Sequence, residues 1–168
     1  TITITDDDAQ PTVSIDDSSG AESANRSFSV SLSTASGKTI SVNYATAPGT
    51  AEAVADYTSA SGVLTFNPSD TVKSVTVTVV DDALDEENEA FTVGLTDPSN
   101  VTIADSSGTG TITDNDNPPT ISINDVTVTE TEANVTATFT ATLSTTSGKP
   151  ISVNYATQAV SATAGIDY

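Results

Sequence analysis

Ser36-Gly37-Lys38-Thr39-Ile40-Ser41-Val42-Asn43-Tyr44-Ala45-Thr46 returns as Ser147-Gly148-Lys149-Pro150-Ile151-Ser152-Val153-Asn154-Tyr155-Ala156-Thr157, 111 positions later and with one substitution. A period of that length is the size of a domain, so the chain reads as a tandem array. Working outward, Pro11-Thr12-Val13-Ser14-Ile15-Asp16-Asp17 returns as Pro119-Thr120-Ile121-Ser122-Ile123-Asn124-Asp125, and Thr3-Ile4-Thr5-Asp6-Asp7-Asp8 as Thr111-Ile112-Thr113-Asp114-Asn115-Asp116, both 108 positions on. The three extra residues fall after Glu22 and its match Glu130, where they lengthen a loop. Asp56-Tyr57 matches Asp167-Tyr168. The expected organisation is the last strand of one repeat (1–8), a whole repeat (9–116) and the first half of another (117–168).

Within the whole repeat the apolar residues alternate with Ser, Thr and Asn. Val13 and Ile15, Phe28 to Leu32, Ile40 to Tyr44, Leu64 and Phe66, Val75 to Val79, Phe91 to Leu95, and Ile112 each mark a strand with one buried face. Gly, Pro, Asn and Asp punctuate between them, as in Pro48-Gly49 and Asn67-Pro68-Ser69-Asp70. This pattern predicts an all-β, immunoglobulin-like, seven-stranded antiparallel β-sandwich in tandem copies, without the Cys-Trp-Cys core of antibody domains.

Composition narrows the chemistry. The chain carries 23 acidic residues against 4 basic ones, for a net charge of −19. Such a surface repels nucleic-acid backbones and anionic membranes, and attracts cations. No apolar run approaches the ~20 residues of a membrane span. His, Cys, Met and Trp are absent. That removes zinc sites of the usual kind, thiol nucleophiles, Ser-His pairs and disulfides. A pair of carboxylates could serve a glycosidase, but the 4 Phe and 4 Tyr stand mostly at core positions rather than as sugar platforms. The chain is therefore read as no enzyme.

The acids gather where strands end: Glu22, Asp56, Asp81-Asp82, Asp85 to Glu89, and Asp114 with Asp116. Any one such segment, taken alone, reads first as a solvated loop. Several strand ends meeting at one edge of a sandwich would bring carboxylates close enough to repel one another unless a cation lay among them. Hard oxygen ligands in that number suit Ca²⁺, which takes 6–8 oxygens. Asp114-Asn115-Asp116-Asn117 starts like an EF-hand loop but runs into Pro118-Pro119.

Asn43-Tyr44-Ala45-Thr46, Ala55-Asp56-Tyr57, Gly62 to Phe66, Asp81 to Phe91, and Gly110 to Asp116 together resemble the Calx-beta family, known from the regulatory loops of sodium/calcium exchangers and from long bacterial surface proteins. The resemblance implies calcium ligands at Glu22, Asp56, Asp81, Asp82, Glu86, Glu89, Asp114 and Asp116. Asn115, Ala83 and Asn88 depart from the richest form of the pattern, which implies fewer or weaker ions. The half repeat would supply only Glu130 and Asp167.

Asn117-Pro118-Pro119 forms a restricted hinge that a bound ion would stiffen. The main functional expectation is a calcium-rigidified structural or adhesive spacer, part of a surface filament, located outside the cell or on its surface. The alternative is a calcium-sensing regulatory module of a membrane transporter. Calcium is the expected partner ion, and neighbouring repeats or other copies of the chain are expected to complete residues 117–168. Neither nucleic acid nor membrane insertion is expected.

Overall fold

The structure, a computed structural model, describes residues 1–3, 5, 7–131 and 133–162. Asp167 lies outside them, so its expected place as a ligand of the half repeat has no structural counterpart here. Residues 9–116 carry β1 (Thr12–Ile15), β2 (Ser18–Ala21), β3 (Arg26–Leu32), β4 (Ile40–Pro48), β5 (Ser61–Phe66), β6 (Val72–Val77), β7 (Glu89–Ser99), β8 (Thr102–Ile103) and β9 (Ser107–Thr113). They form a four-stranded sheet in the order β6-β3-β1-β8 and a five-stranded sheet in the order β2-β9-β7-β4-β5. The architecture is an immunoglobulin-like sandwich.

Alternation works as expected along these strands. Val13, Ile15, Phe28, Val30, Leu32, Val75 and Val77 from one sheet meet Ile40, Val42, Phe66, Phe91, Val93, Leu95 and Ile112 from the other, all buried. β-Branched residues dominate because their stiff side chains pack well on a pleated surface. The centre is aromatic. Phe28 meets Phe91 edge-on with centroids 5.9 Å apart, and Tyr57 stacks on Phe91 at 4.4 Å. Emptying such a position costs about 3–5 kcal/mol in a core that cannot collapse to fill it.

Two departures from the expected seven antiparallel strands matter. The first strand divides: β1 pairs antiparallel with β3 (Val13 opposite Leu32), then the chain crosses at Asp16-Asp17 and β2 runs parallel to β9, Ser18 opposite Gly110 and Ala21 opposite Thr113. The short β8 also lies parallel to β1. The crossing is held by Asp17 Oδ1, which accepts the Thr109 N–H at 2.7 Å. It needs Gly108, because a Cβ there would collide with the Asp16 carbonyl oxygen. Alternation cannot reveal such a switch, since β1 and β2 together look like one strand with a polar interruption.

The C-terminal part departs further. β10 (Ile121–Ile123) and β11 (Ala141–Leu143) form an antiparallel pair. Residues 137–140 and 151–156 form no strand, although their matches in the whole repeat lie in β3 and β4. No facing sheet covers these residues among those described, and Phe139, Val153 and Tyr155 stand 56%, 55% and 93% exposed. Apolar faces without a partner layer give a strand too little burial to offset the cost of ordering it. Thr1–Thr5, expected as a strand, forms none at its described residues.

Limited proteolysis with subtilisin should therefore cut first within residues 124–140 and 150–162, leaving a resistant core that spans β1 to β9. Early cleavage inside β3, β4 or β7 would contradict this packing.

Candidate metal centre

Four segments reach one end of the sandwich. The strand crossing carries the first: the Glu22 N–H donates to the Thr113 carbonyl at 3.1 Å, seating Glu22 beside the end of β9. The Ser23 N–H reaches Asn115 Oδ1 at 3.4 Å, and Asn25 Oδ1 accepts the Val79 N–H at 3.3 Å.

The second segment is the loop before β5. Tyr57 anchors it in the core, and the Val80 N–H donates to the Asp56 carbonyl at 2.9 Å. Asp56 is thus clamped next to the chain leaving β6, and its Oδ2 accepts the Glu52 N–H at 2.6 Å. Val54 sits at the tip with φ 84°, a left-handed conformation that strains a β-branched residue. The matching position in the second copy is Gly165.

The third segment is the turn Asp81–Glu89, in which Asp82 Oδ1 accepts the Leu84 N–H at 2.8 Å. The fourth is the end of β9. There the Asp114 N–H donates to Asn88 Oδ1 at 3.1 Å, and the Asp116 N–H to Asp114 Oδ1 at 3.2 Å.

These segments enclose a cavity of about 10 Å³, room for roughly one water-sized particle. Six of the eight expected ligands line it: Glu22, Asp56, Asp82, Glu86, Glu89 and Asp114. Glu87 joins them, with Val80 and Ile112 as the apolar wall. Asp116 is not among the lining residues, but one oxygen from each of Glu22, Asp82 and Asp116 lies within 4.8 Å of the other two. Two oxygens that share one ion at ~2.4 Å each can stand no farther apart than about that. Asp81 is exposed and does not line the cavity.

Electrostatics mark the same place. Glu22 is only 6% exposed, and Glu22 Oε1 and Asp116 Oδ2 are buried with no hydrogen-bond partner. Burial, then the adjacent Asp116 and the charges of Asp114 and Asp82, push the Glu22 carboxyl up to about 7. Burial and the adjacent Asp56, with Glu86 and Glu52 behind it, do the same to Glu89, also to about 7. Glu86 is raised by burial and by Asp82, Asp56 and Asp114. Carboxylates that cannot comfortably ionise together, with inward oxygens left unpaired, have the chemistry to accept a hard cation.

Asp85 belongs to a different arrangement. It is buried, and its Oδ1 accepts from Lys149 Nζ at 2.7 Å, with Lys149 also 3.5 Å from Asp114 Oδ2. The Gly148 N–H donates to the Asp85 carbonyl at 3.0 Å, and the Ser147 hydroxyl to Asp85 Oδ2 at 3.2 Å. Hydrogen bonding to Lys149 holds the Asp85 carboxyl low. Residues after the hinge are thereby fastened to the acidic end of the whole repeat.

Comparison with known proteins fits this geometry. The Calx-beta domain model matches residues 6–116 and, separately, 114–168. The chain belongs to the Calx-beta family. Among curated proteins it is similar to mouse sodium/calcium exchanger 1, 39% identical over 66 residues, and to human sodium/calcium exchanger 2, 37% identical over 70 residues. These matches cover 39% and 42% of the chain but only 6% and 7% of the exchangers. Among solved structures, the apo-form Calx CBD1 domain superposes with a TM-score of 0.61 at 26% identity, over 64% of this chain and all of that one. The tandem CBD12 of CALX1.1, described as a calcium binding domain, matches with the same TM-score and identity over 73% of this chain and 53% of that one.

Sequence reading of the Calx-beta pattern missed three participants. Glu87 was passed over for its neighbours in an acidic run, and only its place on the cavity wall distinguishes it. Asn88 enters the pattern only as a departure from its richest form, whereas its side chain accepts the Asp114 N–H and so positions that acid. Lys149 stands in the most obvious repeated stretch, but its contact with Asp85 is visible only in three dimensions.

Val54→Gly should stabilise the Calx-beta core by about 1 kcal/mol, the left-handed penalty less the added freedom of the unfolded chain; urea unfolding measures it. The second expectation is a pH effect. Glu22 and Glu89 hold protons more tightly folded, at about 7, than at the ordinary 4.5. Their protonation favours the fold, and that contribution is lost as pH rises from about 4.5 through about 7. Asp85, held low, acts in the opposite sense below 3.8 and leaves this window untouched. In chelator, the melting temperature should fall between pH 5 and 7.5, and a rising one would contradict the assignment.

Proposed function

We propose that the whole repeat is a non-catalytic calcium-binding module of the regulatory kind carried by its exchanger relatives. Glu22, Asp56, Asp82, Glu86, Glu89, Asp114 and Asp116 would hold the ion or ions, with Asp81 adding charge from outside. The observation that carries this reading is the buried, unpartnered pair Glu22 Oε1 and Asp116 Oδ2, converging with Asp82. Calcium is favoured over magnesium by the irregular, carboxylate-rich set, since Mg²⁺ prefers a strict octahedron that keeps several waters.

The response follows from electrostatics. Without an ion, the 81–89 turn and the end of β9 repel one another across the cavity, and a divalent cation converts that repulsion into cross-linking. A ligand at 100 times its Kd stabilises the folded state by ~2.7 kcal/mol. The exchanger relatives favour a sensor over the extracellular spacer. The spacer reading is supported by one observation, the attachment of Ser147–Lys149 to the acidic turn across the Pro118-Pro119 hinge. Affinity separates the two, because sensors work near about 10⁻⁷–10⁻⁵ M and extracellular modules near about 10⁻⁴–10⁻³ M.

Calcium should raise the melting temperature of the chain, and D82A/E86A should abolish that rise while leaving the melt in chelator no lower than wild type. A calcium-induced shift of full size in the double variant would refute the ligand assignment.

A further inference from the structure

We infer that Arg26 is a positioning residue for Glu22: its guanidinium, lying over Gly20, braces the tight turn Ala21–Ala24 and so holds Glu22 where a cation can use it. The inference rests on the cation-binding reading above, and concerns a residue that never touches the ion.

Arg26 opens β3 and is 3% exposed. Its Nη2 donates to the Ala21 carbonyl at 2.7 Å and also to the Ala24 carbonyl. The Ala24 N–H closes the same turn onto the Ala21 carbonyl at 3.1 Å. Glu22 therefore has its own N–H tied to Thr113 and the carbonyls on either side of it gathered on one guanidinium. The two N–H groups of Nη2 hold the converging carbonyls in the fixed plane of the guanidinium, where an ammonium would be free to rotate. The space for it exists because residue 20 lacks a side chain: a Cβ there would collide with Arg26 Nη1.

A buried guanidinium is an expensive filler. Its Nε is buried without a partner, and an unsatisfied buried donor costs stability. An aliphatic pair would fill the volume more simply, and the second copy has one. Aligned on the repeat, Gly20 corresponds to Val128 and Arg26 to Ala137, and between Glu130 and Ala137 the turn is three residues longer. The three differences occur together. Gly, Arg and a short turn stand in one copy, and Val, Ala and a long turn in the other. Packing alone explains the exchange of Gly and Arg for Val and Ala. The accompanying change in turn length is explained by the bracing, because only a short turn brings the Ala21 and Ala24 carbonyls onto one fork.

Outer partners that orient a ligand typically contribute 10–100-fold to metal affinity. The test uses the full chain and two variants. In G20V/R26A the second copy's own pair refills the space, since the three nearest atoms to a Cβ at Gly20 all belong to Arg26. R26K keeps the charge but replaces the fork by a single ammonium. Calorimetric titration with CaCl₂ should show Kd weakened about tenfold or more in G20V/R26A and less in R26K. Hydrogen exchange in chelator should show faster exchange at the Glu22 and Ala24 amides, with Phe28 and Val30 unchanged. Wild-type affinity together with wild-type protection at Glu22 and Ala24 would overturn the inference. If G20V/R26A does not fold, the same two readouts on R26K decide it. If the unmodified chain takes up no calcium, the cation reading falls, while the exchange arm still judges the brace: unchanged protection at Glu22 and Ala24 overturns it, and lost protection there alone upholds it.

Discussion

Phe91 is gripped by Phe28 at its edge and by Tyr57 on its face, and this three-ring contact joins everything that matters in the molecule. Phe28 belongs to one sheet and Phe91 to the other, so the first contact closes the sandwich. Tyr57 belongs to neither sheet. Its ring drives a loop into the core, and the residue before it, Asp56, is carried to the end of β6 as a consequence. Aromatic pairs of this kind contribute ~0.5–1.5 kcal/mol beyond the apolar area they bury. Here they also convert core packing into the placement of a carboxylate.

The acidic end opposes that packing. Carboxylates of Glu22, Asp56, Asp82, Glu86, Glu89 and Asp114 line one small cavity, and an oxygen of Asp116 lies close to those of Glu22 and Asp82. Their backbones are fixed by hydrogen bonds that owe nothing to a cation: Glu22 to Thr113, Asp56 to Val80, Asp114 to Asn88. The scaffold therefore imposes proximity on groups that would separate in a freer chain. Under the proposed function such a site would be prepared before the ion arrives, which would reduce the ordering cost of binding. It also stores repulsion that a bound cation would relieve, which would couple occupancy and stability through the same residues.

Lys149 shows the same end of the sandwich doing a second job. Its pairing with the buried Asp85 sits within reach of Asp114, one of the residues that line the cavity. Asp85 and Asp114 thus place a contact between successive Calx-beta segments beside the acidic cavity. The Pro118-Pro119 hinge limits how far the two segments can turn apart.

Period-two alternation and the internal repeat were enough to determine an all-β sandwich, its core residues and the gathering of acids at strand ends, because burial of one strand face and the chemistry of a carboxylate are properties of single positions. The count and direction of strands were not legible. Asp16-Asp17 reads as a polar break, and only the facing sheets decide that the chain crosses there and runs parallel to β9. Nor could the sequence rank the acids. Asp81 and Asp82 are adjacent and chemically identical, and both are exposed, yet only Asp82 lines the cavity, because the path of the turn decides which carboxylate reaches it. Asp85 and Glu86 separate likewise, one taken by Lys149 and the other lining the cavity. Residue types determined that this protein would collect negative charge. Tertiary structure decided which charges are buried together, since burial and repulsion depend on distances across strands that no local pattern encodes.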